Sequence, residues 1–288
     1  MLTNAMILAA GFGKRMLPLT QNSPKPLLKV NGVALLDYHL QRLAQAEFRN
    51  IVINASYLAE QLVSHASTWS LNRQASLKHL ESTADYQLRV DVLVEQQLLE
   101  TGGGLANAIQ QRPNMIGKAA LFIASGDSWT DLSASSLRAL ADIAEKKLIH
   151  DYDAILLTVE NPAHNLAGDF KVSGDEVLEF ASRPGSAPPS APPSVWGLAS
   201  EQGDTSSTRT ARAQASDVFT CTYSGMGFFS VSAFKRYEPC DFRFPLREYF
   251  EYLIKYQRLG IMPLPGKWFD VGTPERLRHC EAEASADT

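Results

Sequence analysis

Short apolar runs alternate with helix-like repeats through the first half of the chain. Residues 5–10, 51–53 and 120–124 are continuously apolar, as expected for strands buried on both faces of a parallel sheet. Valine recurs at every second position from residue 90 to residue 94, as in a strand, and residues 154–159 are also strand-like. Apolar side chains recur at helical spacing between these runs, at Leu36, Leu40 and Leu43, at Leu58, Leu62 and Ala66, at Leu105, Ala108 and Ile109, and across residues 135–146.

This alternation predicts an α/β fold with a Rossmann-like, doubly wound, mixed and mostly parallel sheet. The pattern then changes: residues 170–180 alternate around Ser173-Gly174-Asp175, which predicts a hairpin and a small antiparallel part. The chain contains no hexapeptide repeat, so a β-helix tail is not expected. The remaining predicted elements are a long strand at 218–231, a helix at 245–259, a short strand at 261–264 and a last helix that begins at Thr273-Pro274.

Two stretches interrupt the pattern. Residues 67–88 are polar and mixed, which predicts a surface insertion. Residues 183–217 are poor in apolar side chains, and five of the 15 prolines lie between Pro184 and Pro193. Prolines at this density are incompatible with regular helices or sheets, so we expect a flexible insertion there.

Composition and charge narrow the class of protein. Among 288 residues, 45% are hydrophobic and 20% charged, an ordinary globular balance. The net charge is −4 and no long basic run is present, so nucleic acid is not expected as a partner. The three cysteines, Cys221, Cys240 and Cys280, are widely spaced, which favours reduced thiols over disulfides or zinc. No apolar run is long enough to span a membrane, and the N-terminus lacks a basic lead. We expect a cytoplasmic monomer or small homo-oligomer.

A glycine-rich loop follows the first apolar run. Its sequence is LAAGFGKRM from Leu8 to Met16, and Pro24-Lys25-Pro26 comes shortly after. Gly11 and Gly13 let the backbone approach a ligand, and successive N–H groups in such a turn form an anion-binding hollow. The basic side chains nearby add positive charge that suits phosphate. Two interpretations stay open on these residues alone, a phosphate-binding loop and a glycine turn with solvated basic side chains.

The same string, continued by PLT and PKP, resembles the signature of nucleoside-diphosphate-sugar pyrophosphorylases. The resemblance runs from residue 5 to about residue 283, apart from the two insertions. It implies a magnesium-dependent enzyme that acts on a nucleoside triphosphate and a sugar 1-phosphate. It also implies one domain, with a nucleotide-binding half at 1–160 and a sugar-binding half at 161–288. The nucleotide-binding residues implied by this motif are Leu8, Ala10, Gly11, Phe12, Gly13, Lys14, Arg15 and Lys25.

A second motif, Glu100-Thr-Gly-Gly-Gly104, precedes the helix expected from Leu105. Thr101 is a natural N-cap, and Gly102 and Gly103 allow close approach of a flat base; the alternative is a plain strand–helix turn. In the family, the equivalent turn lies against the nucleobase, and Glu95 just upstream is expected to face the base too. The triple glycine resembles the branch that acts on N-acetylmuramate 1-phosphate with UTP in cell-wall recycling.

Two aspartates are candidates for the metal site. Asp127 ends an apolar strand in Ser-Gly-Asp, and Asp270 lies in Trp-Phe-Asp-Val-Gly. Carboxylates are ligands that Mg²⁺ prefers, usually one or two beside substrate phosphates. Either aspartate also suits a turn cap, and that is the interpretation we adopt for Asp131. For Asp127 and Asp270 the resemblance implies Mg²⁺ binding.

The resemblance also implies a sugar site, at Asn161, Gly168, Asp169, Ser224 and Gly225. Many relatives carry Glu-Lys-Pro after the hairpin, with the lysine on the sugar phosphate. Here the sequence is Ser-Arg-Pro, so Arg183 is a candidate replacement for that lysine. Because the chemistry requires no proton transfer, we assign His39 and His164 to packing or the surface.

The implied reaction is direct transfer, in which a sugar 1-phosphate oxygen attacks the α-phosphorus of UTP and expels pyrophosphate. Arg15, Lys25 and Asp127 are the expected catalytic residues, acting by positioning and charge neutralisation. One alternative within the family is a mannose-1-phosphate guanylyltransferase or a glucose-1-phosphate thymidylyl- or uridylyltransferase. An alternative from another class is a non-catalytic regulatory protein that binds a nucleotide sugar.

Overall fold

A nine-stranded mixed sheet forms the centre of the protein in a computed structural model, which describes residues 1–77, 88–181 and 218–285. Its strands, in chain order, are β1 (Asn4–Leu8), β4 (Asn50–Ala55), β5 (Arg89–Val94), β6 (Ala120–Ser125), β8 (Ala154–Val159), β9 (Phe170–Ser173), β10 (Glu176–Phe180), β11 (Val218–Ser230) and β12 (Leu259–Pro263). Two small pairs complete the described strands: β2 (Lys29–Val30) with β3 (Val33–Ala34), and β7 (Ser128–Thr130) with β13 (Trp268–Asp270).

The strand order is β5-β4-β1-β6-β11-β8-β12-β10-β9. Neighbours from β5 to β6 are parallel, as are β8 and β12. β11 enters between β6 and β8 and is antiparallel to both. The predicted α/β class and mixed sheet are therefore confirmed, but the sheet is less parallel than expected, because β11 comes from the second half of the chain and inserts into the middle.

Helices cover both faces of the sheet. Consecutive strand residues point to opposite faces, so Ile7 belongs to one apolar core and Met6 to the other. The first core lies under α1 (Leu35–Gln45), α2 (Ala59–Leu77) and α5 (Ala134–His150). The second lies under α3 (Glu100–Gln111), α4 (Pro113–Ile116), α6 (Val231–Phe234) and α7 (Leu246–Lys255).

The last described helix, α8 (Pro274–Ser285), packs beside the β7–β13 pair. Pro274 is its first residue, and the Thr273 hydroxyl accepts a hydrogen bond from the N–H of Arg276 at 3.3 Å. The predicted N-cap at Thr273 is therefore confirmed. None of the described helices is both long and apolar enough to cross a membrane.

The prediction of a surface insertion at 67–88 was partly wrong, because α2 continues to Leu77. The C-terminal half of α2 is rich in small and polar residues, so apolar spacing does not predict a helix there. Residues 78–87 lie outside the described residues, and so does the predicted flexible insertion at 183–217.

Candidate active site

The glycine-rich loop leaves β1 and turns sharply at Gly13. Gly13 has a φ of 67°, and a Cβ there would meet the Thr20 and Lys25 side chains at 3.1 and 3.2 Å. Its carbonyl accepts hydrogen bonds from the N–H of Met16 at 2.8 Å and from the hydroxyl of Thr20 at 2.9 Å. A short 3-10 helix over Lys14–Met16 follows at once. The turn therefore holds the basic residues 14 and 15 at the carboxyl end of β1.

Lys25 and Asp127 meet at this end of the sheet. The Lys25 Nζ lies 2.6 Å from the Asp127 Oδ2, and Lys25 is only 6% exposed. The Ser125 hydroxyl donates to the other Asp127 oxygen at 2.5 Å. Burial tends to raise the pKa of Asp127, but the Lys25 ammonium and the Ser125 hydroxyl outweigh it, so the pKa lies below its usual value. Asp127 is therefore an anion at neutral pH.

Asp270 lies next to Asp127 because β13 pairs with β7. Asp270 stands opposite Ser128 in this pair, and the N–H of Val271 donates to the Asp127 carbonyl at 3.3 Å. The Asp270 carboxylate forms an ion pair with Arg276 of α8. Two carboxylates that are 143 positions apart in the sequence are thus neighbours, each neutralised by one basic side chain.

Two cavities meet at these residues. The first has a volume of about 350 Å³ and lies over the glycine loop; the second, of about 530 Å³, opens toward β11. Arg15, Ser125 and Asp127 line both, so the cavities form one continuous cleft. Of the predicted site residues, the first is lined by Leu8, Ala10, Gly11, Gly13, Lys14, Arg15, Lys25, Thr101 and Asp127, and the second by Arg15, Asp127, Asp169, Ser224, Gly225 and Asp270.

The triple glycine lies inside α3 and not ahead of it. The helix begins at Glu100, so the predictions of a helix start at Leu105 and of an N-cap at Thr101 were wrong. A Cβ at Gly102 would meet the Phe244 ring at 2.3 Å, and one at Gly103 would meet the Phe242 carbonyl at 2.5 Å. These glycines let residues 242–244 pack directly on the helix. Their backbone N–H groups donate to the Phe244 carbonyl at 2.9 and 3.0 Å.

Glu95 lies behind the first cavity. It is 5% exposed, and its Oε1 accepts a hydrogen bond from the Asn54 side chain at 2.7 Å. Asn54 in turn accepts from the backbone N–H of Ala9 at 2.9 Å. Burial raises the pKa of Glu95, and the bond from Asn54 opposes that rise. Glu95 also borders a separate cavity beside Gln96 and Gln97, so its direct contact with a base stays a prediction.

Phe12 does not line the cleft; its ring packs against Tyr57 with centroids 4.1 Å apart.

The predicted sugar residues surround β11 and the loop before β9. Asp169 accepts hydrogen bonds from the N–H of Tyr223 at 2.9 Å and from the Asn165 side chain at 3.0 Å. Asn161 is bonded to Thr220 and Thr222, and it lines none of these cavities. Gly168 has a φ of 73° and fits closely against Asn161. Asp169 therefore lines the cleft, whereas Asn161 does not.

Ser224 and Gly225 form an irregularity in β11 where its register with β8 shifts. The Ser224 hydroxyl is buried and donates to the Leu157 carbonyl at 2.7 Å, so only its backbone faces the cleft. A Cβ at Gly225 would come within 2.9 Å of the Ser125 side chain. The glycine therefore allows β11 to approach the residue that bonds Asp127.

His39, His164 and Asp131 were not expected to contact substrate. His39 is buried, its Nε2 donates to the Ser128 carbonyl at 2.9 Å, and burial lowers its pKa to about 4. His164 is exposed at the rim of the second cavity. Asp131 accepts from the Lys267 N–H at 2.7 Å, a contact with a distant backbone segment, and it lines neither of the two cavities. Arg183 lies outside the described residues.

Sequence reasoning missed Asn54, Arg276 and Trp268. Asn54 is a buried polar residue at the end of β4, a position that signals a ligand-facing edge in a parallel sheet. The Trp268 indole N–H donates to the Ser224 carbonyl at 2.8 Å, but no sequence pattern marks that contact. The same holds for the Arg276–Asp270 pair, which lies across the start of α8.

The model of the nucleotidyl transferase family matches residues 4–286 of the chain. The chain belongs to this family. It is 30% identical over 285 residues to the N-acetylmuramate alpha-1-phosphate uridylyltransferase of Neisseria meningitidis serogroup B, and the match covers 98% of each protein. A protein of the same name from Caulobacter vibrioides is 32% identical over 178 residues, which cover 61% of this chain and 67% of the relative.

Solved nucleotidyltransferase structures share the fold of the chain. A UDP-glucose pyrophosphorylase in complex with UDP-glucose matches with a TM-score of 0.67 at 15% identity, over all of both chains. HddC from Yersinia pseudotuberculosis matches with a TM-score of 0.62 at 18% identity, over 98% of this chain and all of that one. The chain therefore shares its α/β fold with these two structures.

Members of the nucleotidyl transferase family generally use divalent metal ions. The described residues contain no cluster of three or more histidine, cysteine or acidic side chains that would enclose a metal alone. They do place Asp127 and Asp270 side by side on one cleft. Mg²⁺ is usually held by one or two carboxylates together with substrate phosphates and waters, so this donor set fits.

Proposed function

We propose that the chain transfers a uridylyl group from UTP to N-acetylmuramate 1-phosphate, giving UDP-N-acetylmuramate and pyrophosphate in the cytoplasm during cell-wall recycling. The family match and the full-length relative support a sugar 1-phosphate as the acceptor. The choice of UTP and of this sugar rests on the full-length relative from Neisseria meningitidis and on the triple glycine at 102–104. We also propose a Rossmann-like, doubly wound nucleotide half at 1–160 and a sugar half at 161–288 within one domain.

The observation that carries this proposal is the continuous cleft at Arg15 and Asp127. The nucleotide triphosphate occupies the cavity over the glycine loop, and the sugar phosphate occupies the cavity beside β11. The two phosphorus centres then meet at the shared residues. An oxygen of the sugar 1-phosphate attacks the α-phosphorus, and the bond to the pyrophosphate oxygen breaks. Holding both reactants in one place accounts for much of such a rate enhancement.

Basic side chains of the cleft lie where negative charge develops on the phosphates during transfer. Lys25 stabilises the oxygens of the α-phosphoryl group, and its position against Asp127 places its ammonium group at the junction of the cavities. Arg15 and the loop N–H groups hold the departing β- and γ-phosphates. Asp127 and Asp270 hold Mg²⁺, which supplies Lewis-acid neutralisation of phosphate charge when bound. Arg276 orients the Asp270 carboxylate.

A matrix of substrates tests the proposal. Four nucleoside triphosphates are each combined with N-acetylmuramate, N-acetylglucosamine, glucose and mannose 1-phosphates in the presence of Mg²⁺, and pyrophosphate release is measured. We expect the highest kcat/KM for UTP with N-acetylmuramate 1-phosphate. A preference for GTP with mannose 1-phosphate, or for dTTP with glucose 1-phosphate, contradicts the proposed substrates but not the transfer itself. Binding without any turnover indicates the regulatory alternative.

A further inference from the structure

A third cavity, of about 460 Å³, adjoins the second one on the side away from Asp127. Asn165, Asp169 and Tyr223 line both, so a molecule in the second cavity extends into the third without crossing a wall. The rest of the lining is largely aromatic, from Phe170, Phe180 and Phe250. A small apolar group is therefore well accommodated there, and the proposed reaction does not otherwise use this space.

One cation stands at this aromatic cavity. Arg247 lies in the first turn of α7 and lines the cavity, with its guanidinium carbon 4.1 Å from the centre of the Phe180 ring. Its Nε donates to Glu251 at 3.1 Å. Within residues 1–77, 88–181 and 218–285, its two terminal nitrogens have no hydrogen-bond partner. An arginine stacked on a ring in this way is oriented, and it presents a planar pair of donors that matches a carboxylate.

The acidic groups nearby leave that pair of donors available. Asp169 lines the same cavity, but both of its oxygens already accept hydrogen bonds, from Tyr223 and from Asn165. Glu251 engages Arg247 only through Nε, and the pair is largely exposed, with side chains 60% and 55% accessible. Exposed pairs of this kind are weak, so Glu251 does not compete strongly with a carboxylate held between Arg247 and the aromatic floor.

We infer that Arg247 binds a carboxylate carried by a short apolar arm on the sugar ring, and so selects an acidic sugar 1-phosphate. The phosphate lies near Arg15 and Asp270, the ring lies over Asp169 and Tyr223, and the arm lies on Phe180 and Phe250 with its carboxylate at Arg247. N-acetylmuramate has such an arm, a lactic acid ether, whereas N-acetylglucosamine is the same sugar without it. This inference rests on the proposed function, because it assumes a sugar 1-phosphate in the second cavity.

The test compares these two sugar 1-phosphates with UTP in the wild type and in Arg247→Leu. We expect Arg247→Leu to lower kcat/KM for N-acetylmuramate 1-phosphate by about 10- to 100-fold, the range for losing one hydrogen-bonded charge contact. The value for N-acetylglucosamine 1-phosphate is expected to stay within about twofold. Arg247→Lys keeps the charge without the planar pair of donors, and we expect an intermediate loss on the acidic sugar alone.

Lys255→Leu is the matched control, because it removes a cation from the same helix at an exposed position that does not line the cavity. We expect it to leave both substrates unchanged. An equal loss on both sugars in Arg247→Leu overturns the inference, since it indicates a general effect on folding or on the cleft. A wild type that prefers the neutral sugar also overturns it, while leaving nucleotidyl transfer intact. If neither sugar turns over, the proposed function fails, and calorimetric binding of the two sugar phosphates to both variants decides the role of Arg247 independently.

Discussion

Lys25 holds its ammonium group inside the cleft, where lysine is rarely found without a partner. Asp127 supplies that partner at 2.6 Å, and the pKa of Asp127 is lowered in return. The two groups that we propose bind phosphate and metal therefore neutralise each other when no substrate is bound. The ion pair keeps both side chains oriented at the junction of the two cavities.

Replacing Lys25 with methionine keeps most of the stem and removes the charge. Since we propose that the ammonium group stabilises charge on the α-phosphoryl oxygens, we expect kcat/KM to fall by roughly 10²- to 10³-fold. Steady-state pyrophosphate release measures this. Lys29→Met, at an exposed position on β2, is the control and is expected to retain full activity. Wild-type turnover in Lys25→Met would remove the residue from the mechanism.

Asp127 and Asp131 give a matched pair of substitutions. Asp127→Asn removes one of the two proposed metal ligands, so we expect at least a 10²-fold lower kcat and a higher Mg²⁺ concentration for half-maximal rate. Asp131→Asn weakens the bond to the Lys267 N–H and removes a negative charge near the buried Arg42, so we expect a lower melting temperature with an unchanged Mg²⁺ response. Equal Mg²⁺ responses in the two variants would show that Asp127 does not hold the ion.

The residues of the loop, Lys25 and the two aspartates were predictable because contiguous motifs carry them. Asn54 and Arg276 were not, since no sequence motif marks the bonds of Asn54 to Ala9 and Glu95 or the ion pair of Arg276 with Asp270. The surroundings of the triple glycine were hidden for the same reason. Its partner, residues 242–244, lies about 140 positions further along the chain, and periodicity contains no information on such pairs.

At the scale of elements, hydrogen bonds and an ion pair hold the N-terminal ends of α3 and α7 together. The Phe244 carbonyl caps the N–H groups of Gly102 and Gly103, and the Thr101 hydroxyl accepts from the N–H of Leu246 at 2.8 Å. Arg243 adds an ion pair with Glu100 at 3.0 Å. The turn expected at the nucleobase and the helix that carries Arg247 therefore form one connected unit.

Gly102→Ala tests whether Gly102 is needed for the packing of α3 against Phe244 or for space beside the base. The added methyl group would overlap the Phe244 ring and approach its carbonyl at 2.9 Å, so we expect the free energy of unfolding to fall by about 1–3 kcal/mol. Denaturant titration measures this. A Cβ added at Gly11 would have no atom within 4 Å apart from its chain neighbours. Gly11→Ala is therefore expected to leave stability nearly unchanged. A stable Gly102→Ala variant with only a raised KM for UTP would instead indicate that the glycine makes room for the base.

Strands and most helices were predictable because their apolar spacing is strong. The exceptions are α2, whose polar C-terminal half follows no apolar stripe, and the start of α3, where glycines resemble a turn. The start of α3 is stabilised by contacts with residues 242–244, which lie far away in the sequence. Intrinsic propensity does not report on such partners.

At the scale of the whole molecule, His39 links stability to pH. It is buried between α1 and β7, and burial lowers its pKa to about 4. The unfolded chain binds a proton below a pH of about 6.5, and the folded chain does not until about 4, so stability falls as the pH falls through that window. We expect this residue to account for about 2 kcal/mol of lost unfolding free energy between about pH 7 and pH 5.

Urea titrations of wild type and His39→Gln at both pH values isolate this contribution. Glutamine keeps a donor for the Ser128 carbonyl but does not titrate, so its stability is expected to change less over the same interval. Parallel curves for the two proteins would show that another group governs acid sensitivity.

The position of β11 has a consequence for synthesis of the protein. β1, β4, β5 and β6 have all left the ribosome early, yet the edge of β6 stays unpaired until residue 230 has followed. During that interval the nascent chain presents an apolar strand edge, Ala120–Ser125, which is open to pairing with other chains. Pairing between nascent chains at this edge is therefore a risk for as long as translation of the intervening residues takes.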